Sequence, residues 1–152
     1  MKYAAMASLM FPLVAAVASA DGKPIVKHTN PVTLSKPTGY THVVEVKGGR
    51  TLYVSGQIAL DRAGAVVGKG DLQAQTRQVF ENLRSALAAS GATFDHVVKI
   101  TVFMTDVAGL QAFRDVRDRY FTKNPPASTL VQVVRLARPE LMIEIEAVAV
   151  VE

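Results

Sequence analysis

The chain has 152 residues, 49% of them hydrophobic and 20% charged, with a formal net charge of +4 and no cysteine. That is enough for one buried core and too little for two, and it excludes disulfide staples and thiolate chemistry. The positive excess is small and holds no run of lysine and arginine of the kind that marks a nucleic-acid surface.

Residues 1–20 read as a secretory signal peptide. Lys2 supplies a positive n-region, Ala4 to Val17 an apolar run, and Ala18-Ser19-Ala20 a small-residue cleavage signal ahead of Asp21-Gly22-Lys23. Pro12 interrupts the run, which falls below the roughly 18 apolar residues that a membrane span needs. The expectation is a cleaved leader, a mature domain over residues 21–152, a periplasmic or secreted location and no membrane association after cleavage.

Lys23 to Pro37 carries Ile25-Val26 and Val32 among three prolines, which suits a short edge strand and an extended arm. Thr41 to Val46 and Leu52 to Val54 are strand-like runs on either side of Gly48-Gly49, and that pattern predicts a hairpin. Ser55 to Asp61 then leaves the strand, and Ala63-Gly64 marks a turn in a loop ending at Gly70. Asp71 is a good N-cap. Leu72, Thr76, Val79, Phe80, Leu83 and Leu87 follow at helical spacings, with Gly91 as the stop.

Phe94 to Thr105 reads as a strand, with Val98, Ile100, Val102 and Met104 alternating against Lys99, Thr101, Phe103 and Thr105. A second helix is expected from about Val107 to Phe121, with Leu110, Phe113, Arg117, Tyr120 and Phe121 on one face. Arg114 to Arg119, interleaved with Asp115 and Asp118, gives a solvated face with local ion pairs. Pro125 to Val150 holds two more strand-like runs, read as a hairpin-like pair. In the second, Ile143, Ile145, Ala147 and Ala149 share one face, and Glu144, Glu146, Val148 and Val150 the other. A half-buried face with two carboxylates requires partners for them, so it is either a site or an ion-paired seam.

Helices interleaved with strands and two closing strands predict an α+β two-layer sandwich, in which a mixed sheet buries one face under two helices. Val131, Val133, Val148 and Val150 put apolar surface on the other face, and closed symmetric association would cover it. His28, His42 and His96 show no metal-ligand spacing, and there is no P-loop, G-x-G-x-x-G or G-x-S-x-G. Neither a metal nor another cofactor is expected. Ser55-Gly56-Gln57, at the end of a strand, either presents backbone N–H groups to an anionic ligand or is a plain strand exit.

Four motifs in order carry a resemblance: SGQIALD from Ser55, VVKITVFMTD from Val97, PPA-x-x-x-V-x-V-x-R-L from Pro125, and IEIEAVAV from Ile143. From Tyr40 onward the chain resembles the Rid (YjgF, reactive-intermediate deaminase) family. That resemblance implies a chorismate-mutase-like fold assembled as a homotrimer, with small-molecule sites in the clefts between subunits. The implied reaction is hydrolysis of 2-imino acids, or their enamine tautomers, to 2-oxo acids and ammonia.

The positions matching the family's site are Tyr40, Ser55 with Gly56, Ser128 and Glu144, with Arg114 at a helical position that is often asparagine. Glu144 and Ser128 are the expected catalytic pair; Tyr40, Ser55, Gly56 and Arg114 are expected to bind substrate. Ser128 departs from the pattern, because the best-characterised members have arginine there. A hydroxyl gives one neutral hydrogen bond where a guanidinium gives two charge-assisted ones, so a carboxylate at this position would bind about tenfold to a hundredfold more weakly. An imine or enamine deaminase, or a related C–N hydrolase, is favoured. The alternative is a non-catalytic trimer that binds a small ligand in the same cleft. Ribonuclease action, attached to the family by name, lacks a general-base histidine constellation and a basic groove.

Overall fold

The computed structural model describes residues 22–152, so the expected leader lies outside the described residues. The chain forms β1 (Ile25–Thr29), β2 (Val43–Lys47), β3 (Arg50–Ile58), α1 (Leu72–Ala88), β4 (Val97–Met104), α2 (Leu110–Arg117), β5 (Ala127–Gln132) and β6 (Ile143–Val151). This is the expected element order, with the N-terminal edge strand present.

β1 and β2 pair as an antiparallel ribbon, and the remaining strands form a mixed sheet in the order β3-β6-β4-β5. β6 is antiparallel to both neighbours, while β4 and β5 run parallel. Ile100, Val102 and Met104 of β4 lie opposite Ala147, Ile145 and Ile143 of β6, all buried. Paired residues point to the same side of a sheet, so these define the inner face, and Val79, Phe80, Leu83, Leu87 and Phe113 of the helices complete the core cluster.

α1 begins as its sequence dictates. Asp71 is extended, and its carboxylate accepts from Ala74 N at 2.9 Å. At the other end Gly91 takes φ +73°, a conformation that favours glycine, and Ala92 N returns to Leu87 O at 2.9 Å. α2 is shorter than expected: a 3-10 turn over Val107–Gly109, capped by Asp106, precedes it, and Tyr120 and Phe121 fall beyond its end. They still reach the core, Tyr120 stacking on Phe80 with centroids 4.5 Å apart.

Further expectations are corrected. First, β5 and β6 are not a hairpin, because β4 lies between them. β6, with its inner residues wholly buried, takes the centre, half-exposed β5 takes an edge, and the connection over residues 133–142 exceeds the two to five or so residues of a tight hairpin. Second, Gly48 and Gly49 make their turn with φ +77° and +78°, but β2 pairs with β1 and β3 with β6. A Cβ on Gly49 would stand 2.7 Å from both Val150 Cγ1 and Val151 O, so the turn is docked on the end of β6, where it aligns β3 for pairing.

Third, Phe94–His96 is a 3-10 turn and the strand starts at Val97, which is buried ahead of a register shift between Val97 and Lys99. Fourth, the Arg114–Arg119 stretch is not a solvated face throughout. The Arg117 side chain is 5% exposed, bonded to Asp118 at 2.7 Å and to Thr38 O at 3.4 Å, with its guanidinium 5.5 Å from the Phe113 ring centroid. It fits because Gly39, at φ +71°, has no Cβ to overlap the guanidinium.

On the outer face, Val131 is 41% exposed and Tyr53, which the sequence did not single out, 83%, whereas Val150, expected to be exposed there with Val131, is only 4% exposed. No helix among the described residues is long and apolar enough to cross a membrane.

Candidate functional site

The last strand carries the chemistry expected of it. Between Val54↔Ala147 and Gln57↔Ile145 the β3–β6 register shifts, because β3 spends one extra residue there. This bulge sits at Ser55-Gly56 and frees their backbone from regular pairing. Glu144 lies over it, in contact so close that a Cβ on Gly56 would overlap the carboxylate Oε1. Only glycine leaves that room. Among the described residues no side chain or backbone group hydrogen-bonds or ion-pairs with the half-buried Glu144 carboxylate, so its lone pairs are open to water or a ligand.

Glu144 stands opposite Phe103 of β4, which in turn stands opposite Val131 of β5. This is an outer-face row. Glu146 follows two residues on, opposite Thr101 and then Thr129. Lys99, on the same face, donates to Thr129 Oγ1 at 2.6 Å. Partial burial pushes the Lys99 ammonium below its ordinary pKa, and the charge of Glu146 acts in the opposite direction. The sequence reading passed over Lys99, although its alternation with Ile100 and Val102 was the signal that placed it beside the glutamates.

Tyr40 and Ser128 lie at a different place, next to a bridge between their neighbours. Thr41 bridges to Ala127, its N–H donating to Pro126 O at 3.0 Å and its hydroxyl to Pro125 O. That pins Tyr40 beside the start of β5. The Tyr40 ring stands edge-on to His42, 5.2 Å between centroids, and His42 Nε2 is bonded to Ser35 O at 2.9 Å. Ser128 lies opposite Ile100 and so faces the helix side. Arg114 is on α2, one turn before Arg117, and its Nε is buried without a hydrogen-bond partner.

The structure therefore divides the six sequence-derived residues. Ser55, Gly56 and Glu144 gather at the β3 bulge, Tyr40 and Ser128 lie at the start of the β5 edge, and Arg114 is on α2. Within one subunit Glu144 and Ser128 occupy opposite faces of the sheet with β4 between them, because their partners Phe103 and Ile100 alternate along that strand. An open cleft of about 740 Å³ also lies between the end of β3 and α1, lined by Gly56, Gln57, Asp61, Arg62, Gln78 and Asn82 among others. Asn82 Nδ2 ties its walls together through Ile58 O and Leu60 O, 2.9 Å each.

Sequence reasoning also missed Gln75. Its fully buried amide donates to Gly68 O at 3.2 Å and Glu140 O at 2.7 Å, and accepts from Met142 N at 2.8 Å. It thereby fixes the segment that leads into Glu144. Among the described residues no group of three or more histidine, aspartate or glutamate side chains could hold a metal ion. What the arrangement offers is an unpaired carboxylate able to accept and return a proton, beside irregular backbone and hydroxyl groups.

A family model described as Endoribonuclease L-PSP matches residues 33–151. The chain is 45% identical to Protein DfrA of Myxococcus xanthus over 73% of its length and 84% of that protein's. It is 36% identical to the human 2-iminobutanoate/2-iminopropanoate deaminase, over 66% of this chain and 73% of that one. Among solved structures it is similar to YyfB of Yersinia pestis, a protein of the Rid family described as of unknown function. That similarity has a TM-score of 0.78 and 39% identity, over 83% of this chain and 98% of that one.

Proposed function

Since the chain belongs to the Endoribonuclease L-PSP (Rid/YjgF) family, we propose that it is a deaminase that hydrolyses reactive 2-imino acids to 2-oxo acids and ammonia. The observation that carries this reading is the open Glu144 carboxylate seated on Gly56. In the proposed reaction Glu144 removes a proton from a water whose oxygen forms a bond to the imine carbon, while the imine nitrogen takes up a proton. The resulting carbinolamine then breaks its C–N bond: the hydroxyl becomes the carbonyl and its proton leaves with the nitrogen as ammonia. Water and imine are the only reactants. Positioned acid–base catalysis of this kind contributes about a hundredfold to ten-thousandfold.

The human relative's name supports the substrate class, and proteins of this family are typically homotrimers that bind small molecules. Trimer formation fits this subunit. It would cover the outer face with Tyr53 and Val131, and would let the β5 edge of one subunit, with Ser128 and Tyr40, approach Glu144 of another.

The decisive assay generates 2-iminopropanoate from alanine with an amino-acid oxidase and follows pyruvate release against the spontaneous rate. The parent protein is expected to accelerate hydrolysis, and Glu144→Gln to lose that acceleration about a hundredfold or more. A parent that adds nothing to the spontaneous rate overturns the deaminase reading. Ser128, which offers no guanidinium, favours the second reading, a trimer that binds a small ligand without turning it over.

We also infer export, on the pattern of residues 1–20. Protein recovered outside the cytoplasm is expected to begin at Asp21, and intact Met1 on exported, detergent-free material by mass spectrometry overturns that expectation.

A further inference from the structure

The end of α1 and the turn ahead of β4 enclose a cavity that the proposed reaction does not use. Gly91, at φ +73°, reverses the chain, and the 3-10 turn Phe94–His96, capped by Thr93, comes to lie against the last turns of the helix. Between them is a space of about 280 Å³ lined by Arg84, Ala88, Ala92, Thr93, Phe94 and Asp95. It adjoins Val97, the first residue of β4. Glu144 stands opposite Phe103, about 20 Å further along that strand, so the two places are separate.

The floor is apolar and held in place: Ala92 is buried, and the Phe94 ring is wedged among Phe80, Tyr120 and Phe121, with centroids 5.9, 5.1 and 5.5 Å away. The walls carry one charge of each sign. Arg84, from the helix, has its guanidinium 5.9 Å from the Phe94 centroid and 5.3 Å from that of Tyr120, and stays 3.6 Å from the Glu81 carboxylate. Among the described residues it makes no hydrogen bond. Asp95, from the turn, has a carboxylate with neither hydrogen bond nor ion pair among them, and the two charges do not pair with each other although they line one cavity. Thr93 adds an acceptor. His96 Nδ1 accepts from Thr93 N at 3.0 Å and so carries no proton, which makes the Thr93 hydroxyl, also 3.0 Å away, the donor of that contact and leaves its lone pairs open. The last turn of α1 holds no basic residue, so the negative end of the helix dipole lacks a cation as well.

We propose that this cavity binds a free α-amino acid with a branched apolar side chain, of the size of leucine. Its carboxylate takes the open donors of Arg84, its ammonium meets Asp95 and the Thr93 hydroxyl at the end of the helix, and its side chain lies on Ala88, Ala92 and Phe94. The room fits, since about 280 Å³ holds about nine waters of roughly 30 Å³ each, and leucine has about as many non-hydrogen atoms. Such a site is independent of imine hydrolysis at Glu144.

The test titrates L-leucine into the parent and variants by calorimetry, with 4-methylpentanoate, which lacks the ammonium, and isopentylamine, which lacks the carboxylate, as controls. The parent is expected to bind leucine with a Kd of about 1 mM or tighter, and each control about tenfold or more weakly, because each gives up a charge-assisted contact. Arg84→Gln and Asp95→Asn should each raise the Kd for leucine about tenfold or more. Ala88→Leu, at an exposed position and at little cost in helix propensity, fills the cavity and should abolish binding.

A parent that does not bind leucine at about 10 mM, the limit of weak recognition, overturns the site. So does a Kd that Ala88→Leu and Asp95→Asn leave unchanged, which would put the amino acid in another cavity, and so does a control that binds as tightly as leucine, which would mean that one of the two charges is not read. Arg84→Gln also takes a cation away from the Phe94 and Tyr120 rings, so melting temperatures are measured alongside. Affinity lost in Arg84→Gln alone, with a lowered melting temperature, makes Arg84 a structural group and overturns the site, whereas affinity lost in Asp95→Asn and Ala88→Leu at an unchanged melting temperature upholds it.

Discussion

The Glu144 carboxylate rests on the backbone of Gly56, in the volume that a side chain at residue 56 would occupy. Gly56→Ala is therefore a probe of position. Gly56 does not adopt a positive φ, so alanine meets no backbone strain and acts by displacing the carboxylate. The expected result is a loss of imine hydrolysis of about tenfold or more, since misplacement of a catalytic group by an ångström costs up to about a hundredfold. The outer-face carboxylate Glu146 has no such contact, and Glu146→Gln is the control in the same steady-state assay.

Gln75→Ala removes an amide that satisfies three backbone groups on two segments, Gly68 O, Glu140 O and Met142 N. Each group left buried and unpaired costs about 1–3 kcal/mol. A destabilisation of about 2–4 kcal/mol is expected by urea unfolding. Activity should fall as well, because Met142 lies two residues ahead of Glu144. Full activity in a destabilised variant would separate the clamp from the site.

Tyr120 gives the protein a marker at high pH. Burial, its hydrogen bond to Glu81 at 2.8 Å and the negative charge of Glu81 push its phenol up to about 12, against about 10 unfolded. Between those values the unfolded chain releases the proton while the folded chain keeps it, so stability present below pH 10 is lost as pH rises toward 12. Tyr120→Phe should show a shallower fall over that window when melting curves are compared with the parent. Parallel curves would mean that the phenol does not govern it.

Val131→Asp tests association. The residue is 41% exposed in the subunit, so a carboxylate is tolerated there by an isolated subunit. In a trimer that covers the outer face, the same carboxylate would be buried without a partner. The parent is expected to sediment as a trimer and the variant as smaller, folded species. A parent that is monomeric at micromolar concentration would refute the assembly.

What the sequence made legible was local. Asp71, the apolar stripe of α1 and Gly91 specify a helix within one stretch, and the alternation of Ile143, Ile145, Ala147 and Ala149 specifies a strand face; both stand as read. What it hid depends on partners distant in the chain. Whether the run from Ala127 pairs with the run from Ile143 is decided by β4, which competes for both, and an alternating pattern is the same whichever neighbour wins. The division of Glu144 and Ser128 between two faces has the same origin. The sequence puts Arg117 on the apolar face of α2, but that its guanidinium is enclosed as well depends on Gly39, far away in the chain and at a positive φ.

β6 is the centre of the sheet and also the last segment of the chain, and Arg50 of β3 waits for Val151 as its partner. The consequence concerns timing during synthesis. Until β6 leaves the ribosome, β3 and β4 have no strand between them and the inner face lacks Ile143, Ile145, Ala147 and Ala149, so the nascent chain holds helices and loose strands without a complete core. A small C-terminal deletion should then abolish folding, where an equal deletion from the β1 arm is tolerated.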